Sequence, residues 1–333
     1  MRVLHVANGH CTTGLIELSG VPGRTMTWAD PLNDGPVPGN VSDEELLRIR
    51  AAFLSPEHVD ETAADLAGWR ATIDDQDSYD ELVLWFEHDL FDQLNLIQLL
   101  AHLANRAGGS EDAGGSKDPP LRSMVSIDAF PGHPDFKGIG ELAPPDLDAL
   151  FAGRRPIIPA QLALAARAWS AYRSSDPRAI EALLRTDTSA LPFLAPALAR
   201  HLEEFPSDRD GLSRSERRMM ELALERPADI QQALPRMQDG ETAYYITDLS
   251  FFDLANALAS SSPPLVTINL AHPRGSAMPV GTIELTTHGR DVLHGHEDRL
   301  RLCGIDRWLG GVHLEGQGPA WRWSARTGSL IEA

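Results

Sequence analysis

Residues 84–100 read LWFEHDLFDQLNLIQLL, an apolar run that is interrupted by three ionisable residues and then resumes. The overlapping stretch DELVLWF, at 80–86, predicts a buried strand because it is short and almost continuously apolar. Leucine and isoleucine then recur at the spacing of a helix face, which predicts a helix over 90–105. The ionisable residues at the junction are Glu87, His88 and Asp89. The stretch therefore predicts a strand that runs into a helix, with charged groups where the chain turns.

Strand-like and helical segments alternate in the same way through the first 150 residues. Strands are predicted at 2–7, 24–30 and 121–130 as well. Parallel strands need crossover helices that pack on the sheet. The alternation therefore predicts an α/β fold with an open, mostly parallel sheet and helices on both faces. A stretch at 105–120, rich in Gly, Ser and Asp, interrupts the pattern and predicts a disordered insertion.

The rest of the chain divides into a helical segment and a mixed module. Residues 151–210 are predicted to be a helical connection from the α/β domain, 1–150. A helix begins at Ser213, where Glu216 completes a capping box, and three helices then precede two strand-like segments. Because this is the order of a winged helix, residues 211–333 are predicted to form a winged-helix-like α+β module. Its tail is predicted to be a hairpin with four alternating apolar residues, Val312, Leu314, Trp321 and Trp323.

The composition limits the class of partner. The 333 residues carry a formal net charge of -19, which repels a phosphate backbone and disfavours DNA binding. The third helix of the module, DLSFFDLANALASS, is the one that would enter a DNA groove, and it contains no Arg or Lys. The N-terminus lacks a signal-peptide pattern and no run is long enough to span a membrane. A cytoplasmic protein without a membrane contact is therefore predicted.

Polar residues follow each predicted strand of the α/β domain. The carboxyl ends of parallel strands meet at one edge of a sheet, where α/β proteins bind ligands. We therefore expect the residues that follow the strands to converge there. The candidates for acid–base catalysis are His10, Glu87, His88 and Asp89. The candidate ligands of a divalent cation, Mg²⁺ or Mn²⁺, are Asp30, Glu87 and Asp89.

A structural role would explain part of this cluster. Asp89 is well placed as the N-cap of the following helix, and Asp92 would then lie in its first turn, where the helix dipole favours negative charge. Capping accounts for neither Glu87 nor His88, because two further ionisable groups directly before a cap need partners or solvent.

The turn after the first strand, NGHCTTG at 8–14, is a second candidate binding element. Asn8, Thr12 and Thr13 could bind a phosphate or nucleotide, because the N–H groups at a helix start attract anions. The turn matches neither GxGxxG nor the GxxxxGK pattern of phosphate-binding loops. An ordinary strand-to-helix turn with a threonine cap is therefore the alternative.

Several stretches together resemble the family called domain of unknown function 1835, which consists of bacterial proteins. They are LHVANG near the N-terminus, WAD with GPVP at 28–38, LWFEHDLFDQLNLIQLL at 84–100, FKGIGEL at 136–142, DTSALPFLAPALARHLEEFPS at 187–207, and GIDRWLGGVHLEG with WRW at 304–323. Where the family has Asp, this chain has His10, which could ligate a metal but could not serve as a carboxylate. The resemblance spans most of the chain. It implies the same fold and site and adds no reaction, because the family's name assigns none.

Two functional hypotheses remain open. The first is a hydrolase or transferase that acts on a phosphorylated or nucleotide-like small molecule at the strand ends. The second is a ligand-sensing regulatory or protein-interaction protein, in which the winged-helix-like module contacts a protein partner or a second copy of the chain. Both hypotheses require a small-molecule ligand in the α/β domain.

Overall fold

The computed structural model describes most of the chain, namely residues 1–108, 119–271, 280–318 and 320–332. Most of the predicted insertion at 105–120 lies outside these residues. None of the described helices is both long and apolar enough to cross a membrane.

The contacts divide the chain into two units. The first comprises Met1–Ala197 with Gly310–Val312, and the second comprises Leu198–Leu309 with His313–Ala333. The helical segment that was predicted as a connection, 151–210, is therefore divided between the two units, and most of it belongs to the first.

The first unit is built on a parallel sheet. Within the described residues its strands are β1 (Val3–Ala7), β2 (Arg24–Thr27), β3 (Glu81–Trp85), β4 (Leu121–Val125) and β5 (Arg155–Pro156). They lie in the order β2–β1–β3–β4–β5; the first four are parallel to one another, whereas β5 is antiparallel to β4. The predicted α/β fold with an open, mostly parallel sheet is therefore confirmed. The strand predicted at 121–130 is shorter in the structure, where β4 ends at Val125.

Helices cover both faces of this sheet. They are α1 (His10–Leu18), α2 (Asp43–Leu54), α3 (Val59–Asp74), α4 (Leu90–Gly108), α5 (Pro144–Ala152), α6 (Pro159–Tyr172) and α7 (Arg178–Leu184), and α8 (Leu194–Leu202) spans the boundary between the units. The connection through α1 leads across the sheet in one direction, and those through α2 with α3 and through α4 lead in the other. Because such crossovers are right-handed, the two sets cover opposite faces. α5 packs against α1, and α6 packs against α4.

The sheet is buried on both faces. Every residue of β1 and β3 is buried, as the near-continuous apolar sequence of a covered strand predicts. On the face that α1 covers, alternate residues of three strands form one apolar cluster with Ile16 of the helix. These residues are Val3, Ala7, Val83, Trp85 and Val125. This packing fixes the register in which the strand ends meet.

The second unit contains a mixed module of three helices, a small antiparallel sheet and two further short helices. Its elements in the described residues are α9 (Arg214–Leu222), β6 (Ala228–Asp229), α10 (Ile230–Met237), α11 (Asp248–Ser260), β7 (Val266–Ala271), β8 (Val280–Leu285), α12 (Thr287–Leu293) and α13 (Arg299–Cys303). The strands pair antiparallel in the order β6–β8–β7, and α9 packs against α10, α11 and α12. This order agrees with the predicted winged-helix-like α+β module. The capping box is also present: Ser213 and Glu216 exchange two hydrogen bonds at 3.1 and 2.8 Å.

The tail forms two strand pairs in place of the single predicted hairpin. β9 (Ile305–Leu309) pairs with β10 (Val312–Gly316), and β11 (Trp321–Ser324) pairs with β12 (Ser329–Glu332). Gly310 and Gly328 have φ values of 60° and 63° in the two turns. Glycine accepts this left-handed conformation at no steric cost, so each turn closes on its own neighbouring strand.

A glycine in α12 provides a test of the packing in the second unit. A Cβ added at Gly289 would lie 2.0 Å from the carbonyl oxygen of Leu265, a backbone atom that has no freedom to move aside. We expect Gly289→Ala to lower the free energy of unfolding by about 1–3 kcal/mol or more, measured by urea denaturation. The matched control is Gly318→Ala in the same unit, where a Cβ would meet nothing within 4 Å. The control should change stability by less than about 0.5 kcal/mol. Equal effects of the two substitutions would contradict the packing.

Candidate functional site

The strand order reverses direction at β1. The chain leaves β1 toward β2 on one side, whereas β3 and β4 are added on the other side. The carboxyl ends of β1 and β3 are therefore neighbours at a topological switch point, which is where open α/β sheets bind ligands. Asn8 and Gly9 follow β1, and Glu87 and His88 follow β3 by two and three residues. The predicted convergence of these residues is thus present in the sheet.

Two aspartates organise this edge of the sheet. Asp89 caps α4, as the structural alternative predicts, because its Oδ1 accepts the N–H of Asp92 at 2.9 Å. Asp92 reaches back before the helix: its Oδ1 accepts the N–H of Glu87 at 2.6 Å, and its Oδ2 accepts a hydrogen bond from the side-chain amide of Asn8. The Asp92 side chain therefore joins the segment after β1 to the segment after β3.

Glu87 is the least satisfied member of the group. Its side chain is buried, with 3% of the residue exposed, and its Oε1 accepts the N–H of Ile139 at 2.6 Å. Its other carboxylate oxygen, Oε2, is buried, and the residues that the structure describes supply it with no hydrogen-bond donor of standard geometry. Buried polar atoms are almost always hydrogen-bonded, so such an oxygen indicates a bound proton, water or ligand. Glu87 is therefore the residue of this cluster whose structural role is incomplete.

Burial changes the protonation of the two aspartates. It raises the pKa of Asp92 well above its ordinary value, and the neighbouring charge and hydrogen-bonding carboxylate of Glu87 raise it further. Burial also raises the pKa of Asp89 to about 7, against the opposing effect of its hydrogen bond from the Asp92 N–H. Two carboxyl groups in contact with each other cannot both ionise at low cost. Burial and the neighbouring Glu87 carboxylate therefore both favour the protonated form of Asp92.

His88 lies in an aromatic environment behind Glu87. Its ring centroid is 6.4 Å from that of Phe136 and 6.2 Å from that of Phe193. Burial lowers the pKa of His88, although the charges of Asp128 and Glu87 and a backbone hydrogen bond at Ile127 partly offset this effect. The imidazole is therefore neutral at pH 7 and able to accept a proton.

The start of α1 is open to an anion. Gly9 is its N-cap, so no side chain caps the helix, and the first turn contains no acidic residue. His10 is exposed, and its Nδ1 lies 3.3 Å from the hydroxyl of Thr27. Thr12 is buried. The hydroxyl of Thr13 contacts the carbonyl oxygens of Gly9 and His10 at 3.4 and 3.2 Å, and its contact with a phosphate stays a prediction.

The segment 138–140 lies against both Glu87 and the start of α1. A Cβ added at Gly138 would lie 3.3 Å from Glu87 Oε1, and one added at Gly140 would lie 3.1 Å from the Cβ of Cys11. Two glycines therefore allow the backbone to approach both groups closely, and Ile139 between them supplies the N–H donor. One tripeptide thus contacts both the Glu87 carboxylate and the first turn of α1.

Asp30 has a different role from the one predicted. It is buried, and the guanidinium of Arg50 donates to both of its oxygens at 2.6–3.1 Å. Arg50 also donates to the carbonyl oxygens of Pro31, Asp34 and Pro36, and thereby fixes the loop after β2 to α2. The side-chain amide of Asn95 completes the arrangement, because it bonds both the N–H and the C=O of Asp30. The Asp30 carboxylate is therefore held by a buried arginine, as part of the structure.

The predicted metal site is not assembled. Within the described parts of the chain, no group of three or more His, Cys, Asp or Glu residues could hold an ion. The three predicted ligands, Asp30, Glu87 and Asp89, do not form a set, because Arg50 occupies Asp30 and the Asp92 N–H occupies one oxygen of Asp89. These residues do not fit Mg²⁺ or Mn²⁺, and no step of the proposed chemistry uses a metal.

Comparison with known proteins identifies no relative from which a function could be transferred to the chain. No family model and no curated protein matches the chain. The resemblance to the domain of unknown function 1835 family stays a prediction.

The protonation of Asp92 gives a pH-dependent prediction. Aspartate titrates near pH 4 in an unfolded chain, so a raised folded-state pKa means that the folded state binds more protons above that pH. The contribution of Asp92 to stability should therefore fall between about pH 5 and about pH 8, whereas the buried His5, His88 and His201, whose pKa values burial lowers, contribute in the opposite sense. We expect Asp92→Asn, which is neutral throughout, to show a weaker pH dependence of stability than the unaltered protein.

The measurement is the free energy of unfolding in urea at the two pH values. Asp60→Asn is the matched control, because Asp60 is exposed and forms only a surface ion pair with Arg48 at 3.5 Å. The control should keep the pH dependence of the unaltered protein. An Asp92→Asn variant with the same pH dependence as the control would show that Asp92 is ionised.

The buried pair of Arg50 and Asp30 gives a second prediction. Removal of Arg50 leaves the Asp30 charge buried without a partner, so Arg50→Ala should lower the free energy of unfolding by about 3–5 kcal/mol. Arg48→Ala on the same helix removes an exposed pair and should cost less than about 1 kcal/mol. Urea denaturation compares the two variants. A small and equal loss in both would show that the Arg50 pair is not structural.

Proposed function

We propose that the chain is a hydrolase or transferase that acts on a phosphorylated or nucleotide-like small molecule at the carboxyl ends of β1 and β3. The observation that carries the proposal is the buried Glu87 carboxylate: its Oε1 accepts the N–H of Ile139, and for its Oε2 the described residues supply no hydrogen-bond donor of standard geometry. A carboxylate oxygen of this kind can take a proton from a water or hydroxyl nucleophile. Perturbed acid pairs at a sheet edge are more frequent at active sites than elsewhere.

The start of α1 supports an anionic substrate. Its N–H groups receive no side-chain cap, and a helix N-terminus attracts phosphate. Burial raises the pKa of both neighbouring aspartates, that of Asp89 to about 7, so the cluster repels an anion less than its composition suggests. The same cluster with three ionised carboxylates would oppose phosphate binding.

The roles of the individual residues follow from their positions. Glu87 is the proposed general base for the attacking water or hydroxyl group. His10, exposed at the first position of α1, is proposed to contact the leaving group or the phosphate. His88 is a second proton acceptor, because burial keeps its imidazole neutral. Asn8 and Asp92 are positioning residues, since they hold the two strand ends together.

A second function is favoured by the winged-helix-like order of the second unit. In this alternative the first unit senses a small molecule and the second unit contacts a protein partner. DNA is disfavoured as the partner because α11 has two aspartates and no basic residue. A cytoplasmic location and membership of the domain of unknown function 1835 family belong to either proposal.

The proposed function predicts a separation of binding from turnover at Glu87. A ligand of the folded state raises the thermal midpoint, so a panel of nucleoside monophosphates and sugar phosphates should contain compounds that stabilise the full chain. We expect Glu87→Gln to retain this stabilisation, since the amide keeps the acceptor for the Ile139 N–H. Hydrolysis or transfer of the same compound should fall by about 10²–10⁴-fold in this variant.

The control for this experiment is Glu57→Gln, an exposed glutamate in the same unit. It should leave both binding and turnover unchanged. Ligand binding without turnover in the unaltered protein would favour the regulatory alternative. If no compound of the panel raises the thermal midpoint, both proposals are wrong for this class of ligand.

A further inference from the structure

A polar cavity lies on the second unit, and none of its lining residues belongs to the proposed active site. Its volume is about 350 Å³, and it is lined by the connection between α9 and β6 and by one face of α10. Its polar lining residues are Arg226, Asp229, Gln232 and Arg236. The last three residues are spaced at i, i+3 and i+7, which places them on one side of the helix. Arg226 belongs to the connection between α9 and β6, and Arg236 belongs to α10.

The arginines of this cavity have no acidic partner. Many arginines of this acidic protein are paired with carboxylates, as Arg50, Arg154 and Arg200 are. In the parts of the chain that the structure describes, neither Arg226 nor Arg236 forms an ion pair. Both side chains are exposed. Positive charge at the cavity is therefore available to a ligand.

The remaining polar residues define what else the ligand must carry. Asp229 caps α10, because its Oδ1 accepts the N–H of Gln232 at 3.1 Å. Its carboxylate also lines the cavity, so the ligand needs a hydroxyl or amine donor on that side. The exposed side chain of Gln232 lies one turn before Arg236 and supplies a further amide to the same wall.

We propose that this cavity binds the phosphoryl group of a small phosphorylated molecule that also bears hydroxyl groups. The two guanidinium groups offer a phosphate paired N–H donors, and with them the lining remains positively charged although it includes Asp229. The cavity volume is at the lower end of the range for small-molecule sites, which suits a sugar phosphate better than a polymer. This site is separate from Glu87 and does not depend on the proposed function.

The test measures binding of inorganic phosphate and of ribose 5-phosphate to the full chain by equilibrium dialysis at constant ionic strength. We expect Arg226→Ala with Arg236→Ala to remove one equivalent of bound ribose 5-phosphate or to weaken its binding at least about tenfold. Arg326→Ala is the control, because Arg326 is an exposed arginine of the same unit outside the cavity. Glu87→Gln should leave this equivalent in place, which distinguishes the site from the one at β1 and β3.

A second variant adds charge at an exposed position. Gln232→Glu places a carboxylate on the cavity wall and should also weaken binding at least about tenfold. Unchanged binding in both the double-arginine variant and Gln232→Glu would overturn the proposal, as would an equal loss in Arg326→Ala. No bound phosphate compound at millimolar concentration would also overturn it. Tighter binding of a DNA duplex that depends on Arg226 and Arg236 would assign the cavity to nucleic acid instead.

Discussion

The carboxyl group of Asp92 holds together the two strand ends on which the candidate site depends. It bonds Asn8 after β1 and the N–H of Glu87 after β3, and it lies in the first turn of α4. These hydrogen bonds of Asp92 link the end of β1 to the turn after β3. The same surroundings that hold the Asp92 carboxyl group in place, burial and the neighbouring Glu87, also raise its pKa. One side chain therefore affects both how the ends of β1 and β3 are held together and how much negative charge lies there.

Part of the site could be predicted from the sequence because it is local. The cap formed by Asp89 involves a residue three positions later, and the spacing alone indicates it. The bond from Asn8 to Asp92 joins residues 84 positions apart, and no local pattern indicates that the Asp92 side chain turns back from the helix. The position of the Glu87 carboxylate likewise depends on the N–H of Ile139, 52 residues away.

Asp30 shows how strand-end reasoning fails when a distant residue intervenes. The residue follows a strand, as a site residue should, but Arg50 binds its carboxylate from a helix 20 residues further along the chain. A signal was present in the sequence: Arg50 lies four residues after the buried Leu46, on the face of α2 that is buried. An arginine at an apolar position of a helix indicates a buried acidic partner. Because the sequence does not name that partner, Asp30 could not have been identified from the pattern alone.

The fold could be predicted from the sequence more fully than the site, because the periodicity of apolar residues indicates burial over many residues. The alternation of strands and helices in the first unit and the helix order in the second both follow from it. The two-residue strands β5 and β6 are too short to show any period, and their pairing depends on neighbours that are far away in sequence. The two pairs of strands in the tail were missed for a related reason. Their alternation is clear, but the choice of partner is made by turn residues such as Gly310 and Gly328.

The outer strands of the main sheet bear on how copies of the chain behave at high concentration. One edge strand is β5, which is two residues long, and its Pro156 has no N–H to donate to a further strand. The other edge strand is β2, which is four residues long and begins with an exposed arginine. Short, charged or proline-containing borders resist the edge-to-edge joining that leads to fibrils. The sheet is thus closed to growth at both borders, and self-association of this unit would have to use its helices or loops.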